Sequence, residues 1–281
     1  MDKILLSVII PCYNSGNYLS EAIESVKLSK GDHKYEIIII NDGSTETETL
    51  KLLKEMPSEN IKVIHQENKG PASARNAGIR EAQSKYILFL DSDNKIKPKF
   101  ISTAIKVFES NSEIDIVYGK PEFFGEVSEE RIFKTEEFDL DKIWSGNYID
   151  MCSMIRKSLF DSIGMLDENP ILIGHEDWEY WIRAGIENKK IFFIDEVVFE
   201  YRMANNSLIT QATDPYKFEK MIQYLYGKNY KYFQKRLSMY NNVLSLYNNA
   251  QLLYNKEKNS PFRTFIKIFY FKYYSKFKKR K

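Results

Sequence analysis

The sequence predicts an α/β protein built on a doubly wound, mainly parallel sheet. Two observations carry that prediction. Over the first 120 residues, apolar runs of strand length alternate with amphipathic stretches of helix length. The runs are near-continuous and rich in β-branched residues, as in strands covered on both faces. The strands fall at 5–11 (LLSVIIP), 35–40 (YEIIII), 61–66 (IKVIHQ), 86–90 (YILFL) and 114–119 (IDIVYG), with helices near 17–29, 46–56, 72–83 and 98–110 between them. Ligands of such sheets sit beyond the carboxyl ends of the strands. The residues that follow the first, second and fourth runs are polar: Pro11-Cys12-Tyr13-Asn14, Asn41-Asp42-Gly43-Ser44 and Asp91-Ser92-Asp93-Asn94.

Beyond residue 120 the rhythm breaks. Residues 121–150 read as irregular, rich in Phe and Glu, with a short helix. Order returns with a helix starting near Asp177, an extended run at 190–202 and a helical pattern from about 214 to 258. Pro261 then marks a boundary. The expected organisation is a main domain over 1–210, a helical extension over 211–260 and a basic aromatic tail over 261–281. Within the main domain, the break in rhythm separates a half over 1–120 from a half over 121–210.

Composition narrows the function. With 43% hydrophobic and 28% charged residues, the 281-residue chain is neither disordered nor collagen-like. Two cysteines, Cys12 and Cys152, are too few for a disulfide framework. Three histidines, His33, His65 and His175, exclude a His-rich metal cluster. No run approaches a membrane-spanning length, and the amino terminus is too soon broken for a signal peptide, so a soluble cytoplasmic protein is expected. The net charge of +2 is uneven. Residues 262–281 hold eight basic residues and no acid, leaving 33 basic against 39 acidic residues in the body. A mildly acidic body argues against nucleic acid as a partner.

Five constellations carry chemistry. Residues i and i+2 of a strand face one side, so Asp91 and Asp93 can share a divalent cation; a polar turn is the plainer alternative. Asp42 sits where a strand-end carboxylate can meet a ribose or base edge, or simply form a turn. Arg75, in a helix packed with Ala and Gly (66–78, QENKGPASARNAG), can offer its planar fork to a pyrophosphate or base, or stay solvated. Asp177, in His175-Glu176-Asp177-Trp178, is by default a helix N-cap and functionally a general base. Trp178 belongs to an apolar helix face and is able to stack on a sugar. Arg202 closes the last extended run and can neutralise a diphosphate. None of the patterns G-x-x-x-x-G-K-[ST], G-x-S-x-G or G-x-G-x-x-G occurs, which argues against P-loop NTPases, the usual α/β-hydrolases and dinucleotide dehydrogenases.

In this order, SVIIPCYN (7–14), IIINDGS (38–44), QENKGPASARNAG (66–78), LDSDN (90–94), MIRKSLFDSIGMLDE (154–168), GHEDWEYWIRAG (174–185) and FEYR (199–202) resemble glycosyltransferase family 2, the nucleotide-sugar-dependent enzymes of GT-A fold. The resemblance implies an inverting transfer of a hexose or N-acetylhexosamine from a UDP-sugar to a saccharide or lipid-linked acceptor, in cell-surface polysaccharide or glycolipid synthesis. It implies that 1–120 is the nucleotide-sugar-binding half and 121–210 the acceptor-side half, and that Pro11, Tyr13, Asn14, Asp42, Arg75 and Asp91 line the nucleotide site. Asp93, with Asp91, would hold Mn²⁺ or Mg²⁺. Asp177 would be the base, with Ser153, Glu176, Trp178 and Arg202 around donor and acceptor. Many relatives carry a His two residues after the Tyr-Arg pair; here that position is Ala204.

In the tail, Phe262, Phe265, Ile266, Phe269, Tyr273 and Phe277 recur at helical spacing among lysines. That pattern suits an anionic membrane surface, and hence a peripheral position at the inner face of the cell membrane, or else a helix docked on protein. Two other functions compete. A sugar nucleotidyltransferase is expected to carry a Gly-rich basic loop after the first strand, which Pro11-Cys12-Tyr13-Asn14 is not. A non-catalytic nucleotide-sugar-binding or membrane-scaffold protein has no need of Asp91, Asp93 and Asp177.

Overall fold

A computed structural model of the chain describes residues 4–127, 129, 132–204 and 215–256, with backbone alone at 250 and 252–256. Ser207, Thr210, Pro261 and the basic segment 262–281 lie outside them. The chain divides into two compact units, residues 1–224 and 225–281.

The first unit opens with β1 (Leu6–Cys12), α1 (Gly16–Ser29), β2 (Tyr35–Asp42), α2 (Thr47–Glu55), β3 (Ile61–Gln66), α3 (Pro71–Glu81) and β4 (Tyr86–Phe89). β1 pairs in parallel with β2 and β4, and β2 with β3. Val8–Ile10, Ile37–Ile40 and Ile87–Phe89 have no exposed surface, because helices cover both faces of these strands. Alternation divides β1 between the faces. Leu6, Val8, Ile10 and Cys12 join Leu19, Ala22, Ile23 and Val26 of α1 in one apolar cluster. Ile9 points the other way, against Gly78 of α3, where a Cβ would stand only 2.4 Å from Ile9 Cγ2.

A proline ends this central strand without loss. Ile9 O accepts from Leu90 N, so position 11 also turns its nitrogen toward β4. The last β1–β4 pair is Ile9–Phe89, and no carbonyl of that ladder awaits a donor at Pro11.

The second half adds β5 (Lys95–Ile96), α4 (Phe100–Ser110), β6 (Ile114–Gly125), α5 (Leu140–Ile143), β7 (Met154–Arg156), α6 (Ser158–Ile163), α7 (Glu176–Ile186) and β8 (Lys190–Met203). One eight-stranded sheet results, in the order β3-β2-β1-β4-β7-β6-β8-β5. Three features depart from the sequence expectation. β6 runs on to Gly125 because Pro121–Gly125 pair with Phe199–Met203 of β8, and Phe123 meets Tyr201 edge-on at 5.6 Å. β5 and β7 are too short for any periodicity to announce them. β7 runs antiparallel to both β4 and β6, so the sheet is mixed at its centre.

The predicted C-terminal helices are α8 (Pro215–Lys228) and α9 (Tyr230–Lys256), the latter within the second unit. No described helix is long and apolar enough to cross a membrane.

The contact of α3 with β1 yields a stability prediction. Gly78→Ala should lower unfolding free energy by about 1–3 kcal/mol through overpacking against Ile9. Gly146→Ala, where nothing lies within 4 Å of an added Cβ, should be near neutral. Urea midpoints of the two variants check this.

Candidate active site

The carboxyl ends of β1 and β2 are tied together by side-chain hydrogen bonds to backbone. Asn14 adopts a left-handed backbone (φ +50°), which Asn tolerates, and its Oδ1 accepts from Thr45 N (2.8 Å) and Glu46 N (3.1 Å). Asp42 Oδ1 accepts from Gln66 Nε2 (2.8 Å) and Lys69 N (2.9 Å), and Oδ2 from Gly70 N (2.9 Å). Asp42 therefore shapes the β3–α3 loop. Gly43 (φ +72°) lets that loop close in, since a Cβ there would lie 2.7 Å from Asn68 N. Tyr13, 49% exposed beside the partly exposed Pro11, presents an open ring at this rim.

Arg75, on the second turn of α3, is buried to 4% exposure. One terminal nitrogen meets Asp91 Oδ1 at 2.6 Å and the other meets Glu176 Oε1 at 2.5 Å. Burial alone would lower its pKa; the Asp91 and Glu176 carboxylates reverse that and raise it. Its Nε finds no partner among the described residues. Glu176 is held in turn by Gly174 N on Oε2 at 2.8 Å. The guanidinium thus joins α3, the end of β4 and the start of α7.

Asp91 and Asp93 come together through a turn. β4 stops at Phe89, and Asn94 N donates to Asp91 O at 3.1 Å, so strand alternation does not bring the two carboxylates together. Burial, then the neighbouring Asp91, push the Asp93 carboxyl up to about 6. Arg202 is the opposing cation. Its Nε donates to Asp93 O (3.0 Å), its backbone N donates to Asn94 Oδ1 (2.8 Å), and its guanidinium lies between the Tyr18 and Phe124 rings at 4.2 and 4.4 Å.

Asp177 is not the N-cap. α7 starts at Glu176 with His175 in the cap position, which frees the Asp177 side chain to turn inward. Its Oδ1 accepts from Trp178 N (2.7 Å) and its Oδ2 from Asn147 Nδ2 (2.8 Å). Burial, then Glu176 and Asp150, raise its carboxyl well above the usual range.

Asp150 is the acid that sequence reasoning passed over. It stands in the loop before β7, with one oxygen on Cys152 N at 2.7 Å. Burial, then Asp91, push it up to about 7, and Asp93 acts on it as well. It therefore links the Asp91–Asp93 turn to Asp177. The Tyr201 hydroxyl is raised by its burial and by Asp150, Asp91, Asp93 and Asp177 together, so all four carboxylates share one neighbourhood. The signal in the sequence was an acid just before Cys152-Ser153, inside a stretch that read as irregular.

Two expected contact residues belong to the core. Trp178 is 3% exposed, donates from Nε1 to Ile143 O (2.6 Å) and stacks on Phe218, so its ring has no face for a sugar. Ser153 is wholly buried, and its hydroxyl donates to Asp150 O (2.9 Å). It reaches the site only through the backbone of Asp150.

For a divalent cation the described residues offer Asp91 and Asp93. Among them, no three or more His, Cys, Asp or Glu are grouped to hold a metal. Ala204 brings no ligand of its own. Two carboxylates fit a cation that completes its shell with phosphate and water oxygens.

Fold and site together define an α/β protein of GT-A fold with a carboxylate-rich cleft at the strand ends. Residues 7–164 match the family described as Glycosyl transferase family 2. The chain belongs to that family. It is 34% identical over 196 residues to an uncharacterized glycosyltransferase of Rickettsia bellii, covering 65% of this chain and 26% of that protein. It is 29% identical to the glycosyltransferase GlyG of Streptococcus pneumoniae, covering 75% of this chain and 74% of the relative. It spans about a quarter of the length of the Rickettsia bellii relative (26%) and about a third of that of an uncharacterized glycosyltransferase of Rickettsia felis (35%). Among solved structures, residues 1–349 of Staphylococcus aureus TarS, in complex with UDP-GlcNAc, superpose with a TM-score of 0.61 at 22% identity, covering 79% of this chain and 65% of that one. The same TarS fragment is also known in complex with UDP. The likeness is one of fold.

Asp150 generates a pH prediction. Its folded carboxyl lies at about 7 against an ordinary 3.8, so ionising it destabilises the protein. Its stabilising contribution is full below the ordinary value and is lost as pH rises through about 7. Asp150→Asn should melt increasingly above the wild type as pH climbs across that window, and level off beyond it. Thermal melts of the ligand-free protein from pH 4 to 8.5 measure this.

Proposed function

We propose that the chain is an inverting glycosyltransferase that moves a hexose or N-acetylhexosamine from a UDP-sugar to a hydroxyl of a saccharide or lipid-linked acceptor. The observation that carries this reading is the pairing of two unlike acidic stations in one cleft. Asp91 and Asp93 stand at the strand-end turn. Asp177, held by Asn147 and Trp178 N, stands at the start of α7, with Asp150 between the two stations. The TarS complexes with UDP and UDP-GlcNAc support a nucleotide sugar as the donor class.

In this mechanism Tyr13 lies along the base, and the Asp42-shaped loop and Asn14 frame the nucleotide. Mn²⁺ or Mg²⁺, when bound by Asp93 and Asp91, stabilises the negative charge that develops on the diphosphate. Arg202 adds positive charge beside that turn. The acceptor oxygen attacks the anomeric carbon as the carbon–oxygen bond to phosphate breaks, and the bonding pair leaves with the nucleoside diphosphate. The acceptor's proton passes to Asp177. A carboxyl raised toward working pH suits that transfer. A single base with direct displacement inverts the anomeric centre; retention by double displacement would require a nucleophile as well.

The setting follows from the tail. Residues 262–281, whose bulky apolar residues recur at helical spacing among eight cations, would dock on an anionic membrane where lipid-linked acceptors reside, each cation contributing about 1 kcal/mol. The enzyme would then work peripherally, in assembly of cell-surface polysaccharide or glycolipid.

Asp177→Asn should cut turnover by about 10²–10⁴-fold while UDP binding, read by thermal shift with Mn²⁺, stays within twofold. Near-normal turnover in that variant removes Asp177 from the mechanism. Full-length protein should float with vesicles containing anionic phospholipid, and a chain ending near residue 260 should stay in the soluble fraction. Equal recovery of the two defeats the membrane assignment.

A further inference from the structure

Asn147 lies in the loop between α5 and β7, and α7 grips that loop on both sides of it. Trp178 Nε1 donates to Ile143 O at 2.6 Å, and Trp181 Nε1 donates to Ile149 O at 3.0 Å. Between these two anchors the Asn147 amide has its sense fixed. Oδ1 accepts from Ile149 N (3.2 Å), which leaves Nδ2 to donate to Asp177 Oδ2 (2.8 Å). A flipped amide would set one oxygen against another and leave Ile149 N facing a donor.

Each Asp177 oxygen therefore holds one N–H donor, Trp178 N on Oδ1 and Asn147 on Oδ2. Donors of this kind favour the ionised form of a carboxylate. The charged and titratable groups around Asp177 mostly oppose ionisation. Glu176 on its own helix and Asp150 in the loop before β7 repel it, Arg75 on α3 attracts it, and Tyr201 on β8 shares its surroundings. Asn147 is the side chain that hydrogen-bonds to the charge directly.

We propose that Asn147 is the positioning residue of the transfer reaction: its amide fixes the rotamer of Asp177 and keeps the carboxylate ionised, so that its free lone pairs face the acceptor hydroxyl. The proposal rests on Asp177 being the base. It gives α7's two buried tryptophans a purpose beyond packing, since they aim the loop that carries the amide.

Asn147→Asp isolates the donor. The variant keeps an oxygen for Ile149 N and nearly the same shape, but exchanges the N–H for a second negative charge. Asn147→Ala removes the donor without adding charge, and serves also should the Asp variant fail to fold. Full-length protein is assayed for hydrolysis of UDP-N-acetylglucosamine and UDP-glucose with Mn²⁺, water standing in for the acceptor, across pH 5 to 9.5. The acid limb of the kcat profile should move up by about one pH unit in the Ala variant and further in the Asp variant. Along that limb a shift of one unit is roughly a tenfold loss, recovered at high pH, with KM for the donor within twofold. The titration midpoint of the Asp177 carboxyl, followed by ¹³C NMR and assigned with Asp177→Asn, should rise in the same order. A uniform loss at all pH values with an unmoved midpoint overturns the proposal and leaves Asn147 a purely structural residue. A midpoint that rises without any change in the rate profile overturns it as well. Survival of the acid limb in Asp177→Asn instead defeats the base assignment, and the midpoint then decides the hydrogen bond alone.

Discussion

A buried guanidinium with a carboxylate on each side is the constraint on which the cleft depends. Arg75 comes from α3, Asp91 from the turn after β4, and Glu176 from the first residue of α7, a segment a hundred residues further along the chain. Removing one partner of such a buried charge costs about 3–5 kcal/mol, because the remaining charge is left without compensation. The three elements are therefore held in one arrangement, and Asp93 and Asp177, each two residues or fewer from a partner of Arg75, inherit their positions from it. The Arg75 Nε is buried and has no hydrogen-bond partner among the described residues.

Charge in the cleft is unbalanced by design of the sequence. Asp91, Asp93, Asp150, Glu176 and Asp177 face Arg75, with Arg202 at the margin. Burial first, and that excess second, push Asp93 and Asp150 up to about 6 and about 7 and raise Asp177 too. Carboxyls raised in this way hold their protons to higher pH than ordinary ones, and the N–H donors on Asp177 act against that.

Legibility in the sequence followed the length of each signal. β1 to β4 and α1 to α4 were readable because apolar runs bounded by turn residues alternate with amphipathic stretches; β1, β2 and β4 are largely buried, while β3, at the sheet edge, is only partly so. The carboxylates at the strand ends were readable for the same reason, since the fold places such positions at the rim. β5 and β7, two and three residues long, carry no periodicity. The extension of β6 to Gly125 depends on its partner β8, far along the chain. Asp150 and Asn147 were hidden because an acid and an amide in an irregular stretch look like any solvated loop. Trp178, expected around donor and acceptor, and Trp181 show where that stretch is anchored, since their indoles donate to Ile143 O and Ile149 O. Asp91-Ser92-Asp93 was found, though the backbone behind it is a turn where the spacing suggested a strand.

The reversal of β7 has a wider consequence. With Leu88 paired to Met154 and Tyr86 to Arg156, the residues that enter β7 arrive at the rim where the parallel strands depart. Phe89 N bonded to Ser153 O marks that meeting point. A strand laid the other way would have delivered the same loop to the far edge of the sheet. The inversion therefore lets two separately encoded stretches border a common opening: the turns after β1, β2 and β4 on one bank, and the approach to β7 on the other. Lengthening or recoding the second bank alters what can enter from that side while the first bank is untouched, so the two sides of the opening are free to drift separately.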